Sequence, residues 1–215
     1  MNWLTKMFSG DHPAANLSDE LRARLDNWRA RDDTSLDSAH RDIRYCIVNT
    51  EATGMDLSKD RMLAIAGIGV SNGLLANNDA IELDVERPAE ALVRMLEFIG
   101  KSPIIVFNAE FNRSALMNAF ETHLGFEPDL EWIDAYWLLP SLFNDKHDRP
   151  VRLADWMKSM GIETFQRHRA LGDAYAIAKL FLAAQSRAAQ RGHRSLRSLI
   201  DLAASRKRLQ RSISS

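Results

Sequence analysis

Tyr45-Cys46-Ile47-Val48-Asn49-Thr50-Glu51-Ala52-Thr53-Gly54 is the stretch that decides the fold. Four apolar residues run into polar ones, the pattern of a central buried strand whose far end reaches solvent. Downstream, Met62 to Val70 is apolar and rich in glycine and reads as a second strand. Asn72-Gly73 is a hairpin turn signal, and Ala80 to Val85 alternates as a third strand. Pro88 opens a helix with the face Leu92, Met95, Leu96 and Ile99, ended by Gly100. Pro103 precedes another buried strand, Ile104 to Phe107, and a helix follows over about 112–123. Glu131 to Asp134 reads as a short strand leading into a helix through Leu142, and 144–150 as a polar loop. Helices are expected over 152–160, 171–190 and, strongly basic, 195–211. Three strands followed by alternating helices and strands imply an α/β domain, a mixed sheet with helices on its faces.

Upstream, Ser18 is placed to cap a helix whose stripe is Leu17, Leu21, Leu25 and Trp28, and 31–42 reads as a polar linker. The expected organisation is an N-terminal helical extension and linker over 1–40, the α/β domain over 41–188, and a basic C-terminal helix or tail over 189–215. A chain of 215 residues, 46% hydrophobic and 27% charged, suffices for one sizeable core and is not the composition of a disordered protein. One cysteine, Cys46, excludes an internal disulfide framework and a cysteine-rich zinc site. No apolar run approaches the roughly 20 residues of a membrane span. Residues 1–10 lack the apolar stretch of a signal peptide, so a cytoplasmic location, away from membranes, is the simplest expectation.

The net charge of −1 conceals an asymmetry. Between Arg187 and Arg211 eight basic residues face one acid, Asp201, so this end carries +7 and the remainder −8. Such a segment suits nucleic acid or another polyanion, or a solvated helix end that keeps the chain soluble.

In α/β sheets ligands collect at the carboxyl ends of the strands. Three stretches lie at such ends or at helix starts. They are 48–54, then Asn108-Ala109-Glu110-Phe111-Asn112, then His168-Arg169-Ala170-Leu171-Gly172-Asp173-Ala174. Each alone is ordinary capping chemistry. Together, in this order, they resemble the DEDD superfamily of 3′–5′ exonucleases. The resemblance is to the histidine-containing branch, with the proofreading subunit of bacterial DNA polymerase III and RNase T-like enzymes. The family pattern is D-x-E-x-T-G, N-A-x-F-D and H-x-A-x-x-D-A, and the similarity covers about 41–188. Asp60-Arg61 and Asp134 also match residues common in the family.

The resemblance implies a ribonuclease H-like fold and hydrolysis at 3′ ends of single-stranded DNA or RNA, with two Mg²⁺ or Mn²⁺ ions. It also implies a polymerase or other replication or repair protein as partner. The four metal-binding carboxylates of the family map to Asn49, Glu51, Asn112 and Asp173, and His168 to the general base. Thr53, Met55, Asn108 and Phe111 map to substrate-binding positions. Two of the four acids are therefore amides, by natural loss or by deliberate replacement. Two divalent cations need anionic oxygen to offset their charge. Glu51 and Asp173 supply −2, enough for one weak cation site and impaired catalysis, or for a non-catalytic nucleic-acid- or protein-binding module. Glu110 is not expected to replace a missing acid.

Overall fold

The structure, a computed structural model, describes residues 17–54, 56, 59–163 and 169–213. Five strands are β1 Tyr45–Ala52, β2 Met62–Ser71, β3 Leu74–Asp84, β4 Ile104–Val106 and β5 Trp132–Asp134. Seven helices among the described residues are α1 Asp19–Arg29, α2 Pro88–Ile99, α3 Ala109–Leu124, α4 Ala135–Leu142, α5 Leu153–Met160, α6 Ala170–Gln190 and α7 Leu196–Ile213. The sheet order is β3-β2-β1-β4-β5. β1 pairs antiparallel with β2 and parallel with β4, and β5 is parallel to β4. The expected mixed sheet with helices on both faces is what forms.

Period-2 alternation along β1 sorts its side chains between two helical layers. Tyr45 and Ile47 pack with α6, including Ile177 and Phe181. Cys46 and Val48 pack with α2 and α3, including Leu92, Leu116 and Phe120. Burial raises the Cys46 thiol to about 12, so it is an inert packing group.

Several elements extend beyond the sequence expectation. β1 continues through Ala52, because pairing of Asn49 with Ala66 and Glu51 with Ala64 keeps the polar end in the ladder. β3 begins at Leu74, directly after a turn in which Asn72 and Gly73 both have positive φ, 55° and 70°. Those are the dihedrals a tight hairpin requires.

The described segments flanking the α/β domain, α1 with the 31–42 segment and α7, pack against it. In α1, Leu25 and Trp28 are buried, the Trp28 indole donates to Gly100 O at 2.6 Å, and Arg24 clasps Glu97 through two bonds of 2.8 and 2.6 Å. The 31–42 segment is irregular but clamped. Ala39 bridges Ser195, His40 N donates to Arg194 O at 2.8 Å, and Leu196 N donates to Ser38 O at 3.1 Å. α7 buries Leu196, Leu199 and Ala203 in the core.

His40, 1% exposed, has both ring nitrogens buried without a hydrogen-bond partner. Burial holds its pKa below the usual value. The unfolded chain therefore takes a proton near pH 6.5 that the folded chain refuses. Stability is expected to be level above that pH and to fall as pH drops through it. Melting midpoints between pH 7.5 and 5.5 check this, and His40→Leu should flatten the slope. A slope unchanged in that variant would assign it to another group, such as His123, whose pKa burial also lowers.

Candidate functional site

β1 and β4 run parallel, so their carboxyl ends, residues 49–52 and 107–108, open on the same edge of the sheet. The start of α6 meets that edge. Its first turn carries Asp173, and Glu82 of β3 accepts from Leu171 N at 3.2 Å. An acid near the amino end of a helix is favoured by the helix dipole. Asn49, Glu51, Phe111, Arg169 and Asp173 line one cleft of about 280 Å³. A neighbouring groove of about 720 Å³ shares Ala52, Gly54 and Phe111 with it and continues past Asp60, Met62 and His123.

The alternation of β1 decides what its polar residues do. Asn49 falls on the α6 side, lines the cleft and donates from Nδ2 to Ala170 O at 3.2 Å. Its Oδ1 has no partner among the described residues. Thr50 falls on the opposite side, where it meets Asn112. Asn112 Oδ1 accepts from Thr50 N at 3.0 Å and from Thr50 Oγ1 at 2.7 Å. Asn112 Nδ2 donates to Phe107 O at 2.8 Å. Because Thr50 N–H can only donate and Phe107 C=O can only accept, the orientation of the amide is fixed. Asn112 is 8% exposed and ties β1 to the end of β4 from beneath the cleft rather than lining it.

The turn opening α3 is held by Asp134. Its Oδ1 accepts from Asn108 N at 3.0 Å and Tyr136 N at 3.0 Å, and its Oδ2 from Ala109 N at 2.9 Å. Burial pushes the Asp134 carboxyl up, and these three N–H groups and Lys207 pull it back. The turn puts Asn108 in the left-handed region, φ 64°, which asparagine tolerates better than most residues. Phe111 is thereby presented to the cleft.

Thr53 is exposed. Its hydroxyl donates to Asp60 Oδ1 at 2.8 Å and receives Arg61 N at 3.2 Å. Asp60 Oδ2 also accepts from Asp56 N at 2.8 Å. Gly54 lies against this carboxylate, and a Cβ there would run into it. Met55 and His168 lie outside the described residues. Sequence reasoning missed Thr50, which gives no signal because a β-branched residue in a strand is unremarkable. It also passed over Arg169, a cation inside the quoted motif that lines the cleft and has no ion-pair partner among the described residues.

Among the described residues no group of three or more His, Cys, Asp or Glu side chains is placed to hold a metal ion. The donors at the cleft are Glu51, Asp173 and the free oxygen of Asn49. These are hard oxygen donors of the kind a divalent cation takes, and Asn112 is not among them, because both ends of its amide hold the scaffold.

No family model matches the chain. Among curated proteins it is similar to the PolC-type DNA polymerase III of Thermotoga petrophila, 24% identical over 177 residues, covering 69% of this chain and 12% of that protein. The PolC-type enzyme of Staphylococcus aureus is 23% identical over 164 residues, covering 66% and 11%. The chain thus spans about an eighth of the curated relatives it matches. Among solved structures it resembles the zinc-bound form of the E. coli exonuclease I–single-stranded DNA complex, with a TM-score of 0.59, 17% identity, and coverage of 69% of this chain and 42% of that one. E. coli exonuclease I with a dA16 oligonucleotide gives a TM-score of 0.58 at the same identity and coverage. No helix among the described residues is long and apolar enough to cross a membrane. With strand order, strand-end cleft and these likenesses in agreement, the chain has the fold of the DEDD 3′–5′ exonuclease superfamily, which its three motifs resemble.

Proposed function

We propose that this chain is a 3′–5′ exonuclease-type domain for single-stranded DNA or RNA ends whose hydrolysis is impaired by Asn49 and Asn112. The observation that carries the reading is the cleft itself. It keeps Glu51, Asp173 and Phe111 at one strand end, while Asn112 sits beneath it with its amide engaged. Phe111 offers a face for the terminal base, Met55 is a second base contact by resemblance, and Thr53 and Asn108 shape the loops on either side. His168, by resemblance, takes the proton of the attacking water. Glu51 and Asp173, with Asn49 Oδ1, would hold one Mg²⁺ or Mn²⁺. A bound divalent ion supplies Lewis acidity and lowers the pKa of bound water.

The same hydrogen bonds of Asn112 favour a second reading, a non-catalytic module that keeps the cleft to bind nucleic acid or protein. A polymerase or other replication or repair protein is the proposed partner class. The curated relatives are polymerases of which this chain matches a small part, which supports it.

Two measurements test the proposal. Calorimetry with Mn²⁺ is expected to show at most one weak site. Two tight sites would contradict the charge deficit. In EDTA, where no hydrolysis occurs, a labelled oligonucleotide should bind the chain, and Phe111→Ala should weaken binding about tenfold, the scale of one lost base-stacking contact. An oligonucleotide that does not bind at all would overturn the nucleic-acid reading.

A further inference from the structure

Seven of the eight basic residues of the C-terminal region fall into two groups. Arg187 pairs with Asp145 at 3.1 Å, Arg191 donates to Ser141 O at 3.1 Å, and Arg197 pairs with Asp37 at 3.0 Å. These hold the scaffold together. The second group is the last turns of α7, with Arg206, Lys207, Arg208 and Arg211. The buried face of α7 fixes the helix against α4 and β5, so this end arrives at the turn that opens α3. There Lys207 Nζ lies 3.3 Å and an Arg211 guanidinium nitrogen 3.7 Å from the same oxygen, Oε1 of Glu110. The next residue is Phe111, in the wall of the cleft. Glu110 is a carboxylate that the two cations share. Arg208 is exposed and, among the described residues, donates to the Ser205 hydroxyl at 2.9 Å. Arg206 Nε is buried without a hydrogen-bond partner. Lys207 and Arg211 thus bring positive charge to the rim of the cleft.

We propose that the basic end of α7 is the surface on which the phosphates of a single strand lie as it leaves the cleft, with Glu110 the internal carboxylate they displace. This rests on the cleft reading above and adds the path of the strand. Lys207 and Arg211 are one helical turn apart, about 6 Å along the axis, and can be met in succession by a chain with a charge on every residue. An exposed ion pair such as Glu110 with these cations holds only weakly, so a phosphodiester backbone can replace it. A strand whose end occupies the cleft also presents its next phosphates at high effective concentration.

The test is fluorescence anisotropy of a 5′-labelled oligothymidylate in EDTA, across a salt series, with melting midpoints as the folding control. Lys207→Gln/Arg211→Gln should weaken binding about tenfold at low salt. It should also lower the slope of log affinity against log salt by about 1.4, the value for two single-strand phosphate contacts. Glu110→Gln should act oppositely, tightening binding several-fold. If the double glutamine variant keeps both affinity and slope while Phe111→Ala still weakens binding, the α7 path is wrong and the cleft reading stands. If Glu110→Gln binds more weakly than the parent, displacement of that carboxylate is wrong. If the unaltered chain binds no oligonucleotide, both readings fall.

Discussion

Asn112→Asp is expected to lower the unfolding free energy by about 3 kcal/mol at neutral pH in EDTA, roughly 6–12 °C in Tm for a chain of this length. The side chain it replaces donates to Phe107 O at 2.8 Å and accepts two bonds from Thr50. A carboxylate keeps the two acceptor contacts but loses the donor. It also sets a charged oxygen against the Phe107 carbonyl in a site that is 8% exposed. An orphaned buried acceptor costs about 1–3 kcal/mol, and a poorly solvated charge adds to that. The pH dependence separates the two causes. Once protonated, the aspartic acid regains a donor, so the deficit should shrink as pH falls towards 4. Chemical denaturation of both chains at pH 7 and pH 4.5 checks this. A variant as stable as the parent at pH 7 would mean that the amide is not holding β1 to β4.

Asn49→Asp/Asn112→Asp, tested below its melting point, is expected to raise metal-dependent release of mononucleotides by about 10³-fold, or roughly 4 kcal/mol of barrier. Among the described residues the carboxylates that line the parent cleft are Glu51 and Asp173. Two further acids restore the −4 that a pair of divalent cations requires. General-base catalysis contributes only about 10²–10⁴-fold, so His168 cannot substitute for the missing charge. Most of the gain should come with Asn49→Asp. Position 49 lines the cleft, and its Nδ2 contact is with Ala170 O, so the change costs the scaffold little. Asn112→Asp adds charge from beneath, at the stability cost above, and Mn²⁺ should return part of that stability. End-labelled digests of the parent, both single variants and the double variant, with and without EDTA, measure this. His168→Ala in the double variant should abolish the gain. A folded double variant that binds two metals and releases nothing would transfer the function to the binding-module reading.

The motifs at 48–54, 108–112 and 168–174 were sufficient to expect the fold, because each joins a hydrophobic period to chemistry at a strand or helix end. That amides stand at 49 and 112, where the resembled pattern has acids, was also legible, since it follows from residue identity alone. What each amide does was not. Asn49 and Asn112 look equivalent in sequence. The period of two along β1 turns Asn49 into the cleft and carries Thr50 to the far side, where it meets Asn112. That pairing joins residues 62 positions apart and depends on the register of a sheet. The charge count behaves alike. Eight basic residues between Arg187 and Arg211 are visible in the sequence, yet only packing assigns Arg187 and Arg197 to scaffold carboxylates and leaves Lys207 and Arg211 sharing Glu110 at the cleft's rim. Composition and periodicity fix which faces are buried, because burial scales with apolar area and needs no exact partner. Hydrogen bonds and ion pairs need a partner within about 3 Å, and for residues far apart in sequence only the tertiary fold supplies it.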